Sequence, residues 1–229
     1  WDWFFRGPAQ QAPALEGYAK LLRPHFLGAD IHIQTEPVCL PARNAHRLGP
    51  ISRVFRTSVS KTRDALSVAS TDRLVFVSMG GTYIGFPFLE QLKDRFSEIR
   101  FVVSGASEMI ETDHNLTLLP VHCPLHHPDL VRAADLVVGK AGYSTIAEVH
   151  TAGVPFGCFI RADYPEMGPL VKFIEREIPA KMLAPEQFAN GAWLEELPEL
   201  LAMKSISRSS VSAAAECAAL VRTSFLGRK

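Results

Sequence analysis

From Arg73 onward, short apolar runs alternate with segments of helical period, and this alternation constrains the fold more than any other feature of the chain. The runs occupy residues 74–78, 100–104, 116–119, 136–138, 156–160 and 180–183. Helical periods fall between them at 84–96, 128–134, 143–151 and 165–177. Strands covered on both faces read as unbroken apolar runs, as Leu74-Val75-Phe76-Val77 does. Joined by right-handed crossovers, such units wind a sheet in both directions from its first strand. The pattern therefore predicts an α/β fold: a Rossmann-like, doubly wound, parallel six-stranded sheet in the order 3-2-1-4-5-6. Two more helical stretches follow at 185–202 and 208–223.

The front of the chain reads differently. Residues 1–50 hold an aromatic cluster (Trp1, Trp3, Phe4, Phe5), one short helix at about 12–22 and one alternating segment at 31–34. They lack the periodicity of a free-standing domain and read as the tail of something larger. The first residue is Trp1 rather than Met, which predicts a start further upstream. The expected division is a remnant of a preceding domain over 1–50, the sheet domain over 51–205 and a C-terminal helix over 206–229.

Charge and cysteine usage narrow the partners. The 24 Lys and Arg balance the 24 Asp and Glu, so no broad basic field offers itself to a nucleic acid. Cys39, Cys123, Cys158 and Cys217 form no C-x-x-C pair, which excludes a zinc ribbon or a redox dithiol of that type. Sparse cysteines fit a reducing compartment. With no apolar run of spanning length and no signal-peptide pattern, the expected location is the cytoplasm.

Two glycine-bearing turns follow the first and fourth runs: Ser78-Met79-Gly80-Gly81-Thr82 and Gly139-Lys140-Ala141-Gly142-Tyr143-Ser144-Thr145. In the expected order these runs are neighbours, and ligands of open α/β sheets bind at that switch point. Glycine permits close approach of the backbone, and a helix start offers amides and a positive dipole end to phosphate. Each turn on its own is equally well a plain tight turn. Their coincidence favours an anion site at Gly80, Gly81, Thr82, Gly142, Tyr143, Ser144 and Thr145, with Ser144 and Thr145 also able to cap the helix. Glu148 lies one turn further on, in reach of a ribose diol or simply complementing the helix dipole.

Asp163, Tyr164 and Glu166 follow the fifth run, at the same end of the sheet. They suit sugar hydroxyls, or equally an ordinary helix start with Asp163 as cap and Pro165 in the first turn. His122, Cys123, His126 and His127 read as a pocket-lining loop, since two prolines interrupt them and no second ligand cluster exists. No metal site is expected. No G-x-G-x-x-G, Walker A or G-x-S-x-G pattern is present, and no general base stands out on the sheet domain.

The run Asp135-Leu136-Val137-Val138-Gly139-Lys140-Ala141-Gly142-Tyr143-Ser144-Thr145-Ile146-Ala147-Glu148, with Gly153-Val154-Pro155-Phe156 after it, resembles the donor-binding signature of GT-B glycosyltransferases. It is similar to that of peptidoglycan N-acetylglucosaminyltransferases. It is closer to the glycosyltransferase-like domain of plant arabinokinases, whose R-x-D-Y-x-x-E motif is matched by Arg161, Asp163 and Tyr164, with Glu166 one place earlier than the motif's glutamate. The resemblance covers roughly 51–183, and Trp1-Asp2-Trp3 with residues 31–41 resembles the end of the preceding N-terminal domain. It implies a nucleoside diphosphate sugar, usually uridine-linked, as donor. The diphosphate would sit on Gly142–Thr145 with Gly80–Thr82 facing the cleft, the ribose on Glu148, the base near Cys123, Pro124 and Leu125, and the sugar at Asp163, Tyr164 and Glu166. One departure concerns the donor loop, where the usual Gln is absent and Glu166 stands nearby.

The function expected from this resemblance is the donor-binding part of a hexosyltransferase-type enzyme. It needs no cofactor and no metal, because the leaving diphosphate is stabilised by fixed donors and dipoles. Acceptor contacts and the base would come from the absent N-terminal half, through which any peripheral membrane contact would also run. The chain alone is therefore expected to be inactive. Two other readings stay open: a non-catalytic sugar-nucleotide-binding module of a larger protein, and a UDP-sugar 2-epimerase.

Overall fold

The computed structural model describes residues 2–6, 12–80, 85–160, 164–208 and 212–226. The chain divides into two compact units. One comprises Trp1–Ile51, Ala162–Phe173 and Ser210–Lys229, the other Ser52–Arg161 and Ile174–Ser209.

The first unit opens with α1 (Asp2–Arg6) and α2 (Ala14–Leu27), followed by β1 (Ile33–Thr35) and β2 (His46–Leu48). The two strands pair in parallel, with Gln34 opposite Arg47. Aromatic rings join the helices: Phe5 lies 6.5 Å from Tyr18, and Phe4 lies 6.3 Å from Tyr164. The expected helix at 12–22 extends to Leu27, running through Pro24, and α1 was not foreseen. Of the aromatic cluster, Trp3, Phe4 and Phe5 lie on this short helix, with Phe4 and Phe5 half-buried, while Trp1 lies outside the described residues.

The second unit carries α3 (Val59–Ala65), β3 (Arg73–Ser78), α4 (Leu89–Arg95), β4 (Ile99–Ser107), β5 (Glu111–Asp113) and β6 (Leu116–Pro120). Next come α5 (His127–Ala133), β7 (Leu136–Lys140), α6 (Tyr143–Ala152) and β8 (Phe156–Phe159). Helix α7 (Met167–Glu177) leads to β9 (Ala180–Leu183), α8 (Pro185–Asn190) and α9 (Leu197–Ala202). In the first unit, α10 (Ala213–Leu226) ends the described chain.

The sheet order is β5-β6-β4-β3-β7-β8-β9. All neighbours pair in parallel except β5 with β6. The six strands read from the sequence therefore stand in the expected order, and the topology reverses between β3 and β7. The sheet has seven strands rather than six. The seventh, β5, is a three-residue antiparallel edge strand made of Glu111, Thr112 and Asp113, all exposed, so it carries no apolar signal. Val75, Phe76 and Val77 are fully buried, as expected of a central strand covered on both faces.

Three helical expectations are corrected. The helix expected over 84–96 is α4 among the described residues: Ile84 lies outside them, and 85–88 are not helical, Pro87 disfavouring helix at the residue before it. The stretch 185–202 is α8, a 3₁₀ segment (Ala192–Glu196) and α9, broken where Gly191 turns left-handed at φ 78°. The last helix, expected at 208–223, begins only at Ala213. Cys158, on β8, is enclosed on all sides, and burial pushes its thiol up to about 12. It acts as a small apolar side chain.

Candidate functional site

In the second unit, the carboxyl ends of β3 and β7 bring a chain of polar side chains together. Glu148 stands on α6 with only 2% of its side chain exposed. Its Oε2 oxygen lies 2.6 Å from His127 Nδ1, and its Oε1 accepts from Arg53 Nε at 2.8 Å and Nη2 at 2.7 Å. The other nitrogen of His127, Nε2, lies 2.8 Å from the hydroxyl of Ser78, the last residue of β3. A carboxylate only accepts, so Nδ1 carries the proton towards Glu148; in the neutral ring Nε2 then accepts from Ser78. The edge of the His127 ring also packs on Phe76, with centroids 5.2 Å apart.

Burial alone pushes the Glu148 carboxyl up, but the bonds and charges of His127 and Arg53 outweigh it and hold the group below its ordinary value of 4.5. Glu148 is thus a buried carboxylate kept ionised by two donors. The order Ser–His–carboxylate is also that of a nucleophilic triad. Here Ser78 is only 1% exposed and its backbone is paired to β4 and β7, so the group positions rather than attacks.

Arg53 comes from a segment, 52–57, without regular secondary structure, tied along the start of α5. Asp129 accepts from the amides of Arg56 at 2.8 Å and Thr57 at 3.1 Å, and from the Thr57 hydroxyl at 2.8 Å. His126 Nε2 lies 3.0 Å from the carbonyl of Val54, and the Arg132 guanidinium covers Phe55 at 4.2 Å. Burial raises Asp129, but its bonds to Arg56 and Thr57 outweigh this and hold it below the ordinary 3.8.

The two glycine turns flank this chain. Gly80 has φ 60°, and a methyl built on it would meet Lys140 Cε at 3.2 Å. Lys140 Nζ would lie 3.9 Å from the same point, so a lysine reaches over the first turn from the second. Helix α6 starts on Gly142 in extended conformation, without a side-chain cap, and its first internal bond runs from Ile146 N to Gly142 O. The cap is therefore Gly142; Ser144 and Thr145, expected as caps, lie in the first turn, Ser144 exposed and Thr145 buried. Gly142 has no side chain with which to cap the first amides of α6, and such amides suit an anion.

No protein-family model matches the chain. It is 25% identical over 181 residues to L-arabinokinase of Arabidopsis thaliana, which covers 78% of this chain and 17% of that protein. It superposes on the glycosyltransferase SnogD from Streptomyces nogalater with a TM-score of 0.50 and 17% identity, over 91% of this chain and 61% of that one. It superposes on CalG4, the calicheamicin glycosyltransferase, with a TM-score of 0.51 and 14% identity, over 82% of this chain and 48% of that one. The fold is that of the GT-B glycosyltransferases. The sheet is of the Rossmann-like type that forms the C-terminal domain of GT-B proteins. The chain spans less than two thirds of each of these three relatives.

Within the GT-B sheet, Gly80, Gly142, Tyr143, Ser144, Thr145 and Glu148 all stand at the switch-point end of β3 and β7. Gly81 and Thr82 lie outside the described residues. Cys123, Pro124 and Leu125 form the loop after β6, closed by a bond from the Leu125 amide to Cys123 Sγ at 3.4 Å. Asp163, like Arg161, lies outside the described residues. Tyr164 and Glu166 belong to the first unit, where they begin the turn into α7: Glu166 O accepts from Leu170 N at 3.0 Å. Glu166 Oε2 is buried there with no hydrogen-bond partner among the described residues. Among the described residues, no three metal-ligating side chains come together.

Sequence reasoning missed Arg53, His127, Ser78 and Lys140 as members of this polar cluster. Lys140 was visible within the glycine-rich run. Nothing in sequence joins Arg53 to Glu148, 95 residues away.

The two depressed carboxyls predict acid sensitivity. A group whose folded pKa lies below its unfolded one contributes its full stability above the unfolded value, and that contribution is lost as pH falls through the folded value. Asp129→Asn is expected to lower Tm clearly at pH 7. At pH 3, below the ordinary 3.8, the gap between variant and wild type should narrow. Thermal unfolding at the two pH values checks this, and a gap that widens in acid contradicts the assignment.

Proposed function

We propose that this chain is the donor-binding part of a glycosyltransferase that uses a nucleoside diphosphate sugar, uridine-linked, with the diphosphate at the start of α6 and the ribose on Glu148. The observation that carries this reading is the buried, ionised Glu148 carboxylate one turn into a helix whose amino end is uncapped, at the switch point of a GT-B sheet. A buried carboxylate is an acceptor for a hydroxyl pair, and it is expensive to maintain without such a use. Lys140, reaching over Gly80, adds a positive charge where the leaving diphosphate would gather its negative charge. This supports transfer that draws on protein charge and helix amides, without a metal.

In this reading Cys123, Pro124 and Leu125 face the base. Asp163, Tyr164 and Glu166 serve the sugar, as the resemblance to GT-B glycosyltransferases implies. The acceptor site and the general base belong to a part of the enzyme outside this chain, so the chain alone binds donor without transferring sugar. A cytoplasmic location belongs to the same reading, since sparse cysteines fit a reducing compartment.

Calorimetric titration with UDP tests the proposal. Glu148→Ala should weaken UDP by about 1.5–3 kcal/mol, the range for hydrogen bonds to a charged group. Glu166→Ala should weaken a UDP-sugar while leaving UDP nearly unchanged. A folded Glu148→Ala protein with unaltered UDP affinity removes the ribose from Glu148, and with it the proposal.

A further inference from the structure

The two oxygens of Glu148 are held in unlike ways. On Oε2, His127 is itself pinned by Ser78 Oγ at 2.8 Å and by its edge contact with the ring of buried Phe76. On Oε1, Arg53 brings both Nε and Nη2 onto one oxygen, at 2.8 and 2.7 Å, and 57% of its side chain is exposed. A guanidinium facing a carboxylate ordinarily takes one oxygen with each nitrogen. Here His127 already holds the second oxygen, so Arg53 is confined to the first. The contact is made by a long, half-solvated side chain from a segment without regular secondary structure, so Arg53 can turn out to water, but opening the pair leaves the buried Oε1 of Glu148 without a donor unless another takes its place.

We infer that the two oxygens have separate duties: His127 is a positioning residue that keeps Oε2 and so aims Oε1 outward, and Arg53 occupies on Oε1 the place that a ribose hydroxyl of the nucleotide takes. This rests on the nucleotide reading above and deepens it. Binding then exchanges one donor for another on the same oxygen. Glu148 stays satisfied in both states, which lets a buried carboxylate wait ionised for its ligand. The cost is a competitor inside the site: only molecules with Arg53 turned away are competent, and the apparent affinity falls by that fraction.

The experiment titrates uridine and UDP into the full chain and its variants, with Tm measured for each. Uridine has no phosphate, so it reports competition at Glu148 without the attraction of Arg53 for the diphosphate. Arg53→Ala should bind uridine about threefold or more tightly, as expected on removal of a competing internal contact. His127→Ala should weaken uridine and UDP about tenfold, the loss of roughly one hydrogen bond to a charged group. His127→Asn places its amide N–H near the position of Nδ1 and should restore most of that loss. His127→Gln places its amide near Nε2, towards Ser78, and should not.

Uridine bound equally or more weakly by Arg53→Ala overturns the exchange. Equal behaviour of the Asn and Gln variants overturns the positioning role of His127. Both outcomes leave UDP binding by the wild type, and hence the nucleotide reading, intact. Absence of UDP binding to wild type and to every variant overturns the nucleotide reading and this inference together.

Discussion

Arg63→Met is expected to remove about 3–5 kcal/mol of stability, the range for breaking a buried charge pair by deleting one partner. Arg63 on α3 is buried and serves four acceptors. Its Nε donates to Ala133 O at 3.0 Å, its Nη1 to Ala69 O at 3.1 Å and Asp72 O at 3.0 Å, and its Nη2 to Asp135 Oδ2 at 2.8 Å. Asp135 Oδ2 also accepts from the amide of Leu74 at 2.8 Å, at the start of the central strand. One guanidinium therefore ties α3 and the turn after it to the end of α5 and the start of β3. Met fills a similar volume but leaves the buried Ala133 carbonyl without its side-chain donor, takes a donor from the part-buried bonds to Ala69 O and Asp72 O, and leaves Asp135 with the Leu74 amide but without its guanidinium. Arg63→Lys should recover only part of the loss, because an ammonium lacks the planar fork that reaches several acceptors at once. Urea denaturation checks both variants. A loss below about 1 kcal/mol for Met would place Arg63 among weak surface pairs.

Gly139→Ala is expected to cost about 3 kcal/mol or more and to abolish UDP binding along with it. Gly139 on β7 stands opposite Ser78 on β3, and a methyl group there would sit 2.1 Å from the Ser78 carbonyl oxygen. That atom is backbone in the middle of a sheet, so the strain cannot be relieved by turning a side chain. Overpacking of a core ordinarily costs about 1–3 kcal/mol, and separating the two central strands puts this substitution at or beyond the upper end. The same movement would carry Ser78 away from His127 and Gly80 away from Lys140. Stability by denaturation and affinity by calorimetry should fall together. A stable Gly139→Ala protein that still binds UDP shows that the β3–β7 spacing does not build the site.

The central strands were legible because β3, β7 and β8 are buried on both faces and are written mostly in apolar residues, Val, Leu and Phe above all. The edge strand β5 was not, since Glu111, Thr112 and Asp113 pair on one side only and face water. Helix α3 was missed for a related reason: its buried residues are Thr62 and Arg63, whose burial is earned by hydrogen bonds rather than by apolar surface. Gly191 divides 185–202, but the apolar period continues across it through buried Trp193 and Leu194 and masks the break.

At the site, Gly142 and Glu148 were legible because a helix start and the residue one turn further on are linked by local geometry. Arg53 and His127 meet Glu148 from 95 and 21 residues away, through the path of the chain. His127 did stand out in sequence, but its neighbours His122, Cys123 and His126 suggested a lining loop. Its partner proved to be a carboxylate on the next helix.

A structure of the chain with UDP bound tests the central claim most directly. The account predicts ribose hydroxyls within about 3 Å of Glu148 Oε1, hydrogen-bond distance, with the Arg53 guanidinium displaced. It predicts the diphosphate on the amides at the start of α6, with Lys140 beside it, and His127 still on Oε2. UDP seated elsewhere, with the Arg53–Glu148 pair intact, would contradict it.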